Sequence, residues 1–298
     1  MARSIPALAL AALGMAAPAS AQTPPPEKTT LTAAPDVHQR LTVQVSIGDK
    51  GPFRFLVDTG AQSTILSDRV AQALAIAPSG TAKVLGVAGQ REVSVVALDN
   101  IQLGGRIWHG RRIPLLAGAD LGADGVVGLD GLQNQRVLID FARNRLTLVE
   151  ADDPELRLRG FDIVVTARRQ KGELILTNGL VDGVRADVVI DTGADISVGN
   201  PALQRALAQE RAGYSATLHS ATGQEINADI GMARQITIDA IRITSIPLAF
   251  TDSPTFAALN LQRRPALLLG IDALRLFKRI AIDFPRRRVM FALPPEAP

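Results

Sequence analysis

The chain has 298 residues, of which 47% are hydrophobic, with a formal net charge of +3 and no cysteine. The apolar fraction excludes a mostly disordered chain, and the length is enough for two lobes with their own cores. The lack of cysteine excludes disulfides, a thiol nucleophile, a thiolate metal site and a lipid-modified thiol. The small charge and scattered Arg pairs argue against nucleic acid as a partner.

The first 36 residues have the pattern of an export signal followed by a tether. An apolar stretch, residues 5–17, follows Arg3, and residues 19–21 fit the small-x-small cleavage rule. The stretch is too short to span a bilayer. We therefore expect a signal peptide over residues 1–21, a secreted or periplasmic protein without an integral membrane segment, and a flexible Pro-rich tether over residues 22–36. A propeptide removed by self-processing is the alternative for the tether.

The next segment predicts a β-hairpin that ends in an aspartate. Apolar residues alternate over residues 41–47, a Gly-rich turn follows, and an apolar run, residues 53–57, leads into Asp58. The second half repeats the pattern, from apolar residues 174–176 through an Asp-Gly turn to a strand that leads into Asp191. A carboxylate at the end of a buried strand lies in poor solvent, where the charged form is costly and the pKa rises.

Both hairpins end in the same four residues, Asp-Thr-Gly-Ala. One copy alone would be explained as a structural turn with a solvated aspartate. Two copies, each behind three apolar residues, favour matching turns whose aspartates meet and share one proton, as in aspartic proteases. A short helix is predicted after each copy, over residues 67–74 and, in the second half, with Asn200 as its cap and Pro201 at its first position.

A glycine-centred turn between polar strands follows in each half, at residues 86–90 and 220–224. Gly89 and Gly223 stand at nearly the same distance in sequence from the aspartate of their half. The residue types alone predict no more than an ordinary surface hairpin at each turn.

Two further segments are repeated, so that the chain is an internal duplication. Two apolar residues followed by glycine occur in residues 126–130 and 268–272, and the closing strand at residues 136–141 matches residues 279–284. Only the second half has an additional stretch, residues 252–265, which we interpret as a surface insertion; a substrate-facing loop is the alternative.

The repeated Asp-Thr-Gly-Ala and apolar-apolar-Gly sequences resemble the active-site motifs of the pepsin and retropepsin class of aspartic proteases, in a single-chain tandem form of bacterial type. The resemblance implies a mostly β fold of two homologous lobes, residues 37–151 and 158–294. Each lobe would be a closed, six-stranded-type barrel with a short helix or two. A pseudo-twofold axis would relate the lobes, with a cleft between them. The glycine-centred turns would be flaps over bound peptide, although whether the second flap works is left open.

The resemblance also implies the roles of individual residues. Asp58 and Asp191 would be catalytic, and the threonines after them would interlock the two loops through their hydroxyls. The glycines would approach the substrate backbone and the alanines would line the cleft. These supporting residues are Thr59, Gly60, Ala61, Thr192, Gly193 and Ala194.

Substrate contacts follow from the same resemblance. Asp195 matches a position that binds peptide backbone, where the first half has Gln62 instead, and Gly89 and Gly223 are tentative contacts in the flaps. The apolar-apolar-Gly motif is the second signature of the class. In retroviral enzymes an Arg follows its glycine, and here Leu129 and Ile271 stand in that place. We therefore expect no counterpart of the Arg–Asp pairing found in the viral dimers.

These features predict an exported aspartic endopeptidase that acts on a peptide or protein substrate, without metal or cofactor. Both motifs lie in one chain, so we expect a monomer. The three histidines lie far apart in sequence without ligand spacing, which argues against zinc. The alternative is a catalytically silent peptide-binding protein that keeps the fold.

The residue after each Asp-Thr-Gly predicts the pH range. Pepsin has a hydroxyl residue where Ala61 and Ala194 stand. Without that donor the charged carboxyl is less stable and its pKa rises. We expect a bell-shaped rate profile centred at about pH 5–6.

Overall fold

The structure is a computed structural model that describes residues 28–150, 160–207 and 215–294. The expected signal peptide over residues 1–21 lies outside these ranges. The described part is mostly β-strand with six short helices, which confirms the predicted fold class. None of these helices has the length and apolar character needed to cross a bilayer.

The first half of the chain contributes the first lobe and part of a sheet shared with the second. Its helices are short, with four to six residues, and each follows a strand. The elements are β1 (Lys28–Thr32), β2 (Ala34–Pro35), β3 (Leu41–Ile47), β4 (Lys50–Val57), β5 (Ile65–Ser67), α1 (Asp68–Ala73), β6 (Gly80–Gly86), β7 (Gly89–Leu98), β8 (Ile101–Leu103), β9 (Arg106–Trp108), β10 (Arg111–Leu116), α2 (Gly118–Leu121), β11 (Gly125–Val127), α3 (Leu129–Leu132), β12 (Gln135–Asp140) and β13 (Arg145–Glu150).

The second half follows a similar order and also contains three short helices. Asn200 accepts a hydrogen bond from the amide of Leu203 and caps the first helix, with Pro201 at its start as predicted. The elements are β14 (Ile163–Thr166), β15 (Arg168–Gln170), β16 (Glu173–Val181), β17 (Val184–Ile190), β18 (Ser197–Gly199), α4 (Pro201–Ala206), β19 (Ser215–His219), β20 (Glu225–Ile238), β21 (Ile241–Phe250), α5 (Pro254–Ala258), β22 (Ala266–Leu269), α6 (Ile271–Leu274), β23 (Arg279–Asp283) and β24 (Arg288–Ala292).

The two lobes share the arrangement of the strands that carry the aspartates. The predicted hairpins form, β3 with β4 and β16 with β17. In the first lobe β11 lies between β4, to which it is parallel, and β5, to which it is antiparallel. In the second lobe β22 lies in the same way between β17 and β18. The second signature therefore packs beside the strand that leads into each aspartate.

The β-sheets of the first and second lobes differ in whether their strands form a closed ring. In the second lobe β20 pairs with β16 as well as with β21, so that β16, β17, β22, β18, β21 and β20 form a ring. In the first lobe the described strands follow an open path in the order β6, β7, β10, β5, β11, β4, β3, β8 and β9.

A third sheet joins the lobes. Its order is β1, β13, β12, β23, β24 and β14, and the closing strands β12 and β23 pair antiparallel at its centre. The two segments that match in sequence are thus neighbours in space. Apolar residues of both lobes and of this sheet belong to one buried cluster, so the lobes share a core.

Two expectations about peripheral segments are wrong. The tether was expected to be flexible to residue 36, but Lys28–Thr32 pairs over five residues with β13 at the edge of the shared sheet. Residues 252–265 were interpreted as a surface insertion, but this segment contains α5, whose Phe256 is fully buried in a core cluster of the second lobe. Thr29 and Ala33 are buried in the first segment, where Leu31 packs partly buried against the core. In the second segment Phe256, Leu259 and Leu261 are buried in the core cluster.

Candidate active site

Asp58 and Asp191 occupy equivalent positions at the ends of β4 and β17. The amide of Asp58 donates to the carbonyl of Val127 at 3.1 Å, and the amide of Asp191 donates to that of Leu269 at 3.0 Å. Each aspartate is therefore tied to the strand of the second signature in its own lobe. Both side chains are half-buried.

Backbone donors hold one oxygen of each carboxyl. The amides of Gly60 and Ala61 donate to Asp58 Oδ1 at 2.8 and 3.0 Å. In the second lobe the amides of the equivalent glycine and alanine donate to Asp191 Oδ1 at 3.0 and 3.2 Å. The two carboxyls also hydrogen-bond to each other. The structure therefore brings the two predicted catalytic residues together.

Thr59 and Thr192 interlock the two loops. The Thr59 hydroxyl donates to the carbonyl of Ile190 at 2.8 Å, and the Thr192 hydroxyl donates to the carbonyl of Val57 at 2.7 Å. Each hydroxyl also accepts from the other threonine's backbone amide, at 3.0 and 3.2 Å. Both side chains are buried. The carboxyls are therefore positioned by bonds that cross between the lobes.

The glycines of the two loops leave room for the opposite carboxyl. A Cβ added to Gly60 would lie 2.7 Å from the carboxyl carbon of Asp191, and one added to Gly193 would lie closer still to the carboxyl of Asp58. Any side chain at these positions would push the aspartates apart. The resemblance implied that these glycines approach the substrate backbone. In the structure, the atoms nearest to a Cβ added at each glycine belong to the aspartate of the other lobe.

The environment of the pair disfavours two negative charges. Burial is the largest cause that raises the pKa of Asp58 above its ordinary value, against the lowering effect of the loop amides. Burial and the nearby Asp58 charge raise the pKa of Asp191 to about 7. Because the two groups titrate as a unit, the pair keeps one proton over a broad pH range.

Sequence reasoning missed the aspartates that brace the loops from behind. The Thr64 hydroxyl donates to Asp130 Oδ1 at 2.8 Å, and the Ser197 hydroxyl donates to Asp272 Oδ1 at 2.8 Å. Each hydroxyl therefore donates to the carboxylate that stands two residues after the glycine of the second signature. The sequence did contain a signal for these residues: in both halves an aspartate stands two residues after the glycine of the second signature.

The glycine-centred turns of both lobes form hairpins, and their tips meet. A Cβ added to Gly89 would lie 2.8 Å from the amide nitrogen of Gln224, and one added to Gly223 would strike the Asp120 carboxylate. Arg91 on the first hairpin donates to the carbonyl of Thr222 at 2.9 Å. The second hairpin is therefore in contact with the first.

The expectation that the Arg–Asp pairing has no counterpart is wrong, because Asp195 forms such a pair. Its Oδ1 lies 3.2 Å from Nε of Arg40 and its Oδ2 lies 3.1 Å from Nδ1 of His38. An Arg–Asp pair between the lobes therefore exists, although no Arg follows the signature glycines. The carboxylate keeps 43% of its surface exposed, so it remains accessible while holding these partners.

A buried acid near the dyad was also missed. Glu173, the first residue of β16, is only 3% exposed. Burial, together with the charge of Asp191, holds the pKa of Glu173 well above its usual range, against a lowering effect of Gln62. Among residues 28–150, 160–207 and 215–294, no three potential ligand side chains are grouped so as to hold a metal ion.

Two interlocked Asp-Thr-Gly loops, one from each of two similar lobes, define an aspartic-protease type of site. Residues 43–130 and 177–273 match the family model described as aspartyl protease, once in each lobe and over more than half of the chain. The chain belongs to the aspartyl protease family. A comparison with curated proteins finds no significant match.

Proposed function

We propose that the protein is an aspartic endopeptidase that hydrolyses peptide bonds with a water activated between Asp58 and Asp191. The observation that carries the proposal is the hydrogen-bonded pair of half-buried carboxyls, each oriented by two backbone amides. A pair held in this way keeps one proton and one negative charge, which is the state that acid–base catalysis by two carboxyls requires.

The chemistry divides between the two carboxyls. The charged one acts as general base on the water, and the protonated one donates to the carbonyl oxygen of the scissile peptide bond. Attack gives a tetrahedral intermediate, and the proton taken from the water passes to the leaving amine. Neither a metal nor a covalent intermediate enters this sequence. The loop amides and the threonine hydroxyls keep the carboxyls in place throughout.

The test is replacement of either aspartate by asparagine, which keeps the side chain's size and removes its acid. Asp58→Asn and Asp191→Asn should each lose peptide hydrolysis, at least about 10³-fold, while circular dichroism and urea unfolding remain those of a folded protein. Asp49→Asn, at a residue whose side chain is 84% exposed in a hairpin turn, is the matched control and should retain full activity.

Two outcomes would count against the proposal. Substantial hydrolysis in either active-site variant would contradict a shared dyad. A wild-type protein that binds peptides from a proteome-derived library but cleaves none would support the silent peptide-binding alternative. Chelators and reagents for serine or thiol nucleophiles should not inhibit, whereas a statine-type mimic of the tetrahedral intermediate should.

Export and a monomeric state belong to the same proposal. The signal-like residues 1–21 support export, and fractionation of expressing cells tests it: protein that stays in the cytoplasm with residues 1–21 intact would contradict it. The two loops of one chain already form one site, which supports a monomer. Sedimentation of active protein should give a mass near 31.6 kDa or slightly less.

A further inference from the structure

Two contacts between the lobes occupy equivalent places on opposite sides of the dyad. The two Asp-Thr-Gly loops are 133 residues apart in sequence, and the hairpins before them keep the same offset in their register. Gln62, four residues after one catalytic aspartate, therefore corresponds to Asp195, four residues after the other. By the same offset His38 corresponds to Lys171. Each contact joins a member of one pair to a member of the other.

The contact on one side pairs an acid with a histidine. Nδ1 of His38 lies 3.1 Å from Asp195 Oδ2, and Nε of Arg40 lies 3.2 Å from Oδ1 of the same carboxylate. Arg40 is only 14% exposed, and it also pairs with the buried side chain of Asp36. The Asp195 carboxylate is 43% exposed, so it is the acid of this contact that a ligand can reach. We call this side the carboxylate end.

The contact on the other side presents an amide and two cations. The Gln62 side chain donates to the carbonyl of Lys171 at 3.0 Å, so an amide stands where the carboxylate end has an acid. Lys171 and Arg169 are exposed, and Arg169 donates to the side-chain oxygen of Gln133 at 2.8 Å. Glu173 is 3% exposed, and burial holds its pKa well above its usual range, so it offsets little of this positive charge. We call this side the ammonium end.

The other charged groups beside the two ends leave this difference in place. One brace aspartate lies behind each end, Asp130 behind the ammonium end and Asp272 behind the other, so their effects cancel in a comparison. At the carboxylate end Arg275 donates to the carbonyl of Gln39, and Arg275 and Arg40 together balance the two carboxylates there. The ammonium end is therefore the more positive of the two. Protonation of the histidine at the carboxylate end reduces the difference without reversing it.

A peptide that crosses the dyad passes both ends. The reciprocal bonds of Thr59 and Thr192 show that a pseudo-twofold axis passes between the catalytic aspartates, and this axis exchanges the two ends. Each end joins residues of different lobes, so both lie on the boundary between the lobes, along which the cleft runs. The four residues from a catalytic aspartate to its end span at most about 14 Å. This span equals about four residues of an extended peptide.

We propose that Lys171 and Asp195 are specificity-determining residues that fix the direction in which a peptide lies across the dyad. The inference rests on the proposed function, since it concerns the peptide that this site cleaves. It also names the substrate class. The peptide carries an acidic side chain over the ammonium end and a basic side chain over the carboxylate end, each within about four residues of the scissile bond. An exposed ion pair changes affinity by up to about fivefold, so two such pairs are enough to favour one direction.

The test compares two peptides of the same composition and opposite order of charge. Both have the same apolar residues around the cleaved bond. One has glutamate about three residues before that bond and lysine about three residues after it, and the other has the two exchanged. One peptide should be cleaved with a kcat/KM that is higher by about threefold or more. Mass spectrometry checks that both are cut at the same bond.

Variants of the two ends then identify the residues responsible. Lys171→Glu should abolish or reverse the preference, because the ammonium end then carries an acid, and Lys171→Gln should weaken it. Asp195→Asn keeps an oxygen that accepts from Arg40 and should also weaken the preference. The matched controls are Lys50→Glu and Asp49→Asn, at side chains that are 62% and 84% exposed in the first hairpin's turn. These controls make the same charge changes away from the dyad and should leave the preference as it is in the wild type.

A binding measurement separates this inference from the proposed function. The affinities of the two peptides, each with a fluorescent label, are measured by anisotropy at about pH 7, where exposed carboxylates are ionised. The protein is the Asp58→Asn variant, which does not consume them. Unequal affinities that Lys171→Glu abolishes or reverses, with a wild type that cleaves neither peptide, would support the inference and overturn the function.

The remaining outcomes count against the inference. Equal cleavage of both peptides, dependent on both catalytic aspartates, would support the function and overturn the inference. A preference that neither Lys171→Glu nor Asp195→Asn changes would overturn it too. If Asp195→Asn lowers kcat/KM by the same factor for both peptides, Asp195 acts on the peptide backbone and does not select charge. Binding of neither peptide would also overturn the inference.

Discussion

Arg136 and Asp283 form a buried ion pair across the centre of the sheet that joins the two lobes. Two guanidinium nitrogens of Arg136 lie 3.0 and 2.7 Å from Asp283 Oδ2, and the side chains are only 8% and 2% exposed. Arg136 stands near the start of one closing strand and Asp283 at the end of the other. The equivalent pair, Arg279 and Asp140, faces each other in the same register, but Asp140 bonds Arg143 instead. The duplicated strands therefore differ in the ion pairs that they form.

Removing one partner of this pair should destabilise the fold. Arg136→Met keeps much of the apolar stem and leaves the Asp283 carboxylate with weaker partners, so the free energy of unfolding should fall by about 2–4 kcal/mol. Arg143→Met, at a side chain that is 59% exposed, is the control and should cost less than about 1 kcal/mol. Urea unfolding monitored by circular dichroism measures both. Equal losses in the two variants would contradict a special role for the buried pair.

The sequence was most informative where the chain repeats itself. The hairpins, the cap at Asn200 and the two aspartates could be predicted because each depends on short-range signals that occur twice. Apolar alternation defines a strand, and an aspartate that follows three apolar residues is placed by the strand before it. The meeting of Asp58 and Asp191 followed from the symmetry of the two copies rather than from either copy alone.

The partners between lobes could not be predicted in the same way. Arg40 and Asp195 form an ion pair between the lobes, but the first half has Gln62 at the position of Asp195, so no repeat marks the pair. The two residues are distant in sequence, and only the packed structure brings them together. The strand at Lys28–Thr32 was missed for a related reason, because its hydrogen-bond partner lies more than a hundred residues away, in β13.

The threonine hydroxyls should be necessary for both stability and activity. Thr59→Val keeps the size of the side chain, but it leaves the buried carbonyl of Ile190 and the amide of Thr192 without their partner. Such a loss costs about 1–3 kcal/mol, and the displaced loops should lower kcat by about tenfold or more. Thr59→Ser retains the hydroxyl and should recover most of both. A valine variant with wild-type kcat would show that the interlocking bonds do not position the carboxyls.

The contact between the two hairpin tips should influence substrate binding. Arg91→Gln removes the 2.9 Å bond to the carbonyl of Thr222, so the tips should part more easily and KM should change more than kcat. Lys83→Gln removes an exposed cation from the same hairpin and should leave both values unchanged. Steady-state kinetics on one peptide substrate measures the split. Identical behaviour of the two variants would indicate that the second hairpin does not act as a flap.

The strand at Lys28–Thr32 should be part of the mature molecule. Ala33 is 3% exposed, and its amide donates to Asn144 at 2.8 Å. A chain that begins at residue 36 loses this strand and the burial of Ala33 and Leu31, so it should be less stable than one beginning at residue 28 by about 2 kcal/mol or more. Mass spectrometry of purified protein should find residues 28–35 retained. Their removal by the active protein, without loss of stability, would instead support the self-processed propeptide.

The pH–rate profile should extend to nearly neutral pH. Activity needs one proton on the dyad: below the lower pKa no base remains, and above the upper pKa no acid remains. Because burial and the Asp58 charge raise the pKa of Asp191 to about 7, the upper limb should lie near that pH and the bell should centre at about pH 5–6.

Ala61→Ser combined with Ala194→Ser adds hydroxyl donors beside the outer carboxylate oxygens. These donors stabilise the anion and should therefore move the upper limb to lower pH. Ala97→Ser, at an exposed position of β7, adds a hydroxyl away from the dyad and should leave the upper limb in place. An upper limb that stays fixed in the double variant would show that the missing hydroxyls do not set the pH range.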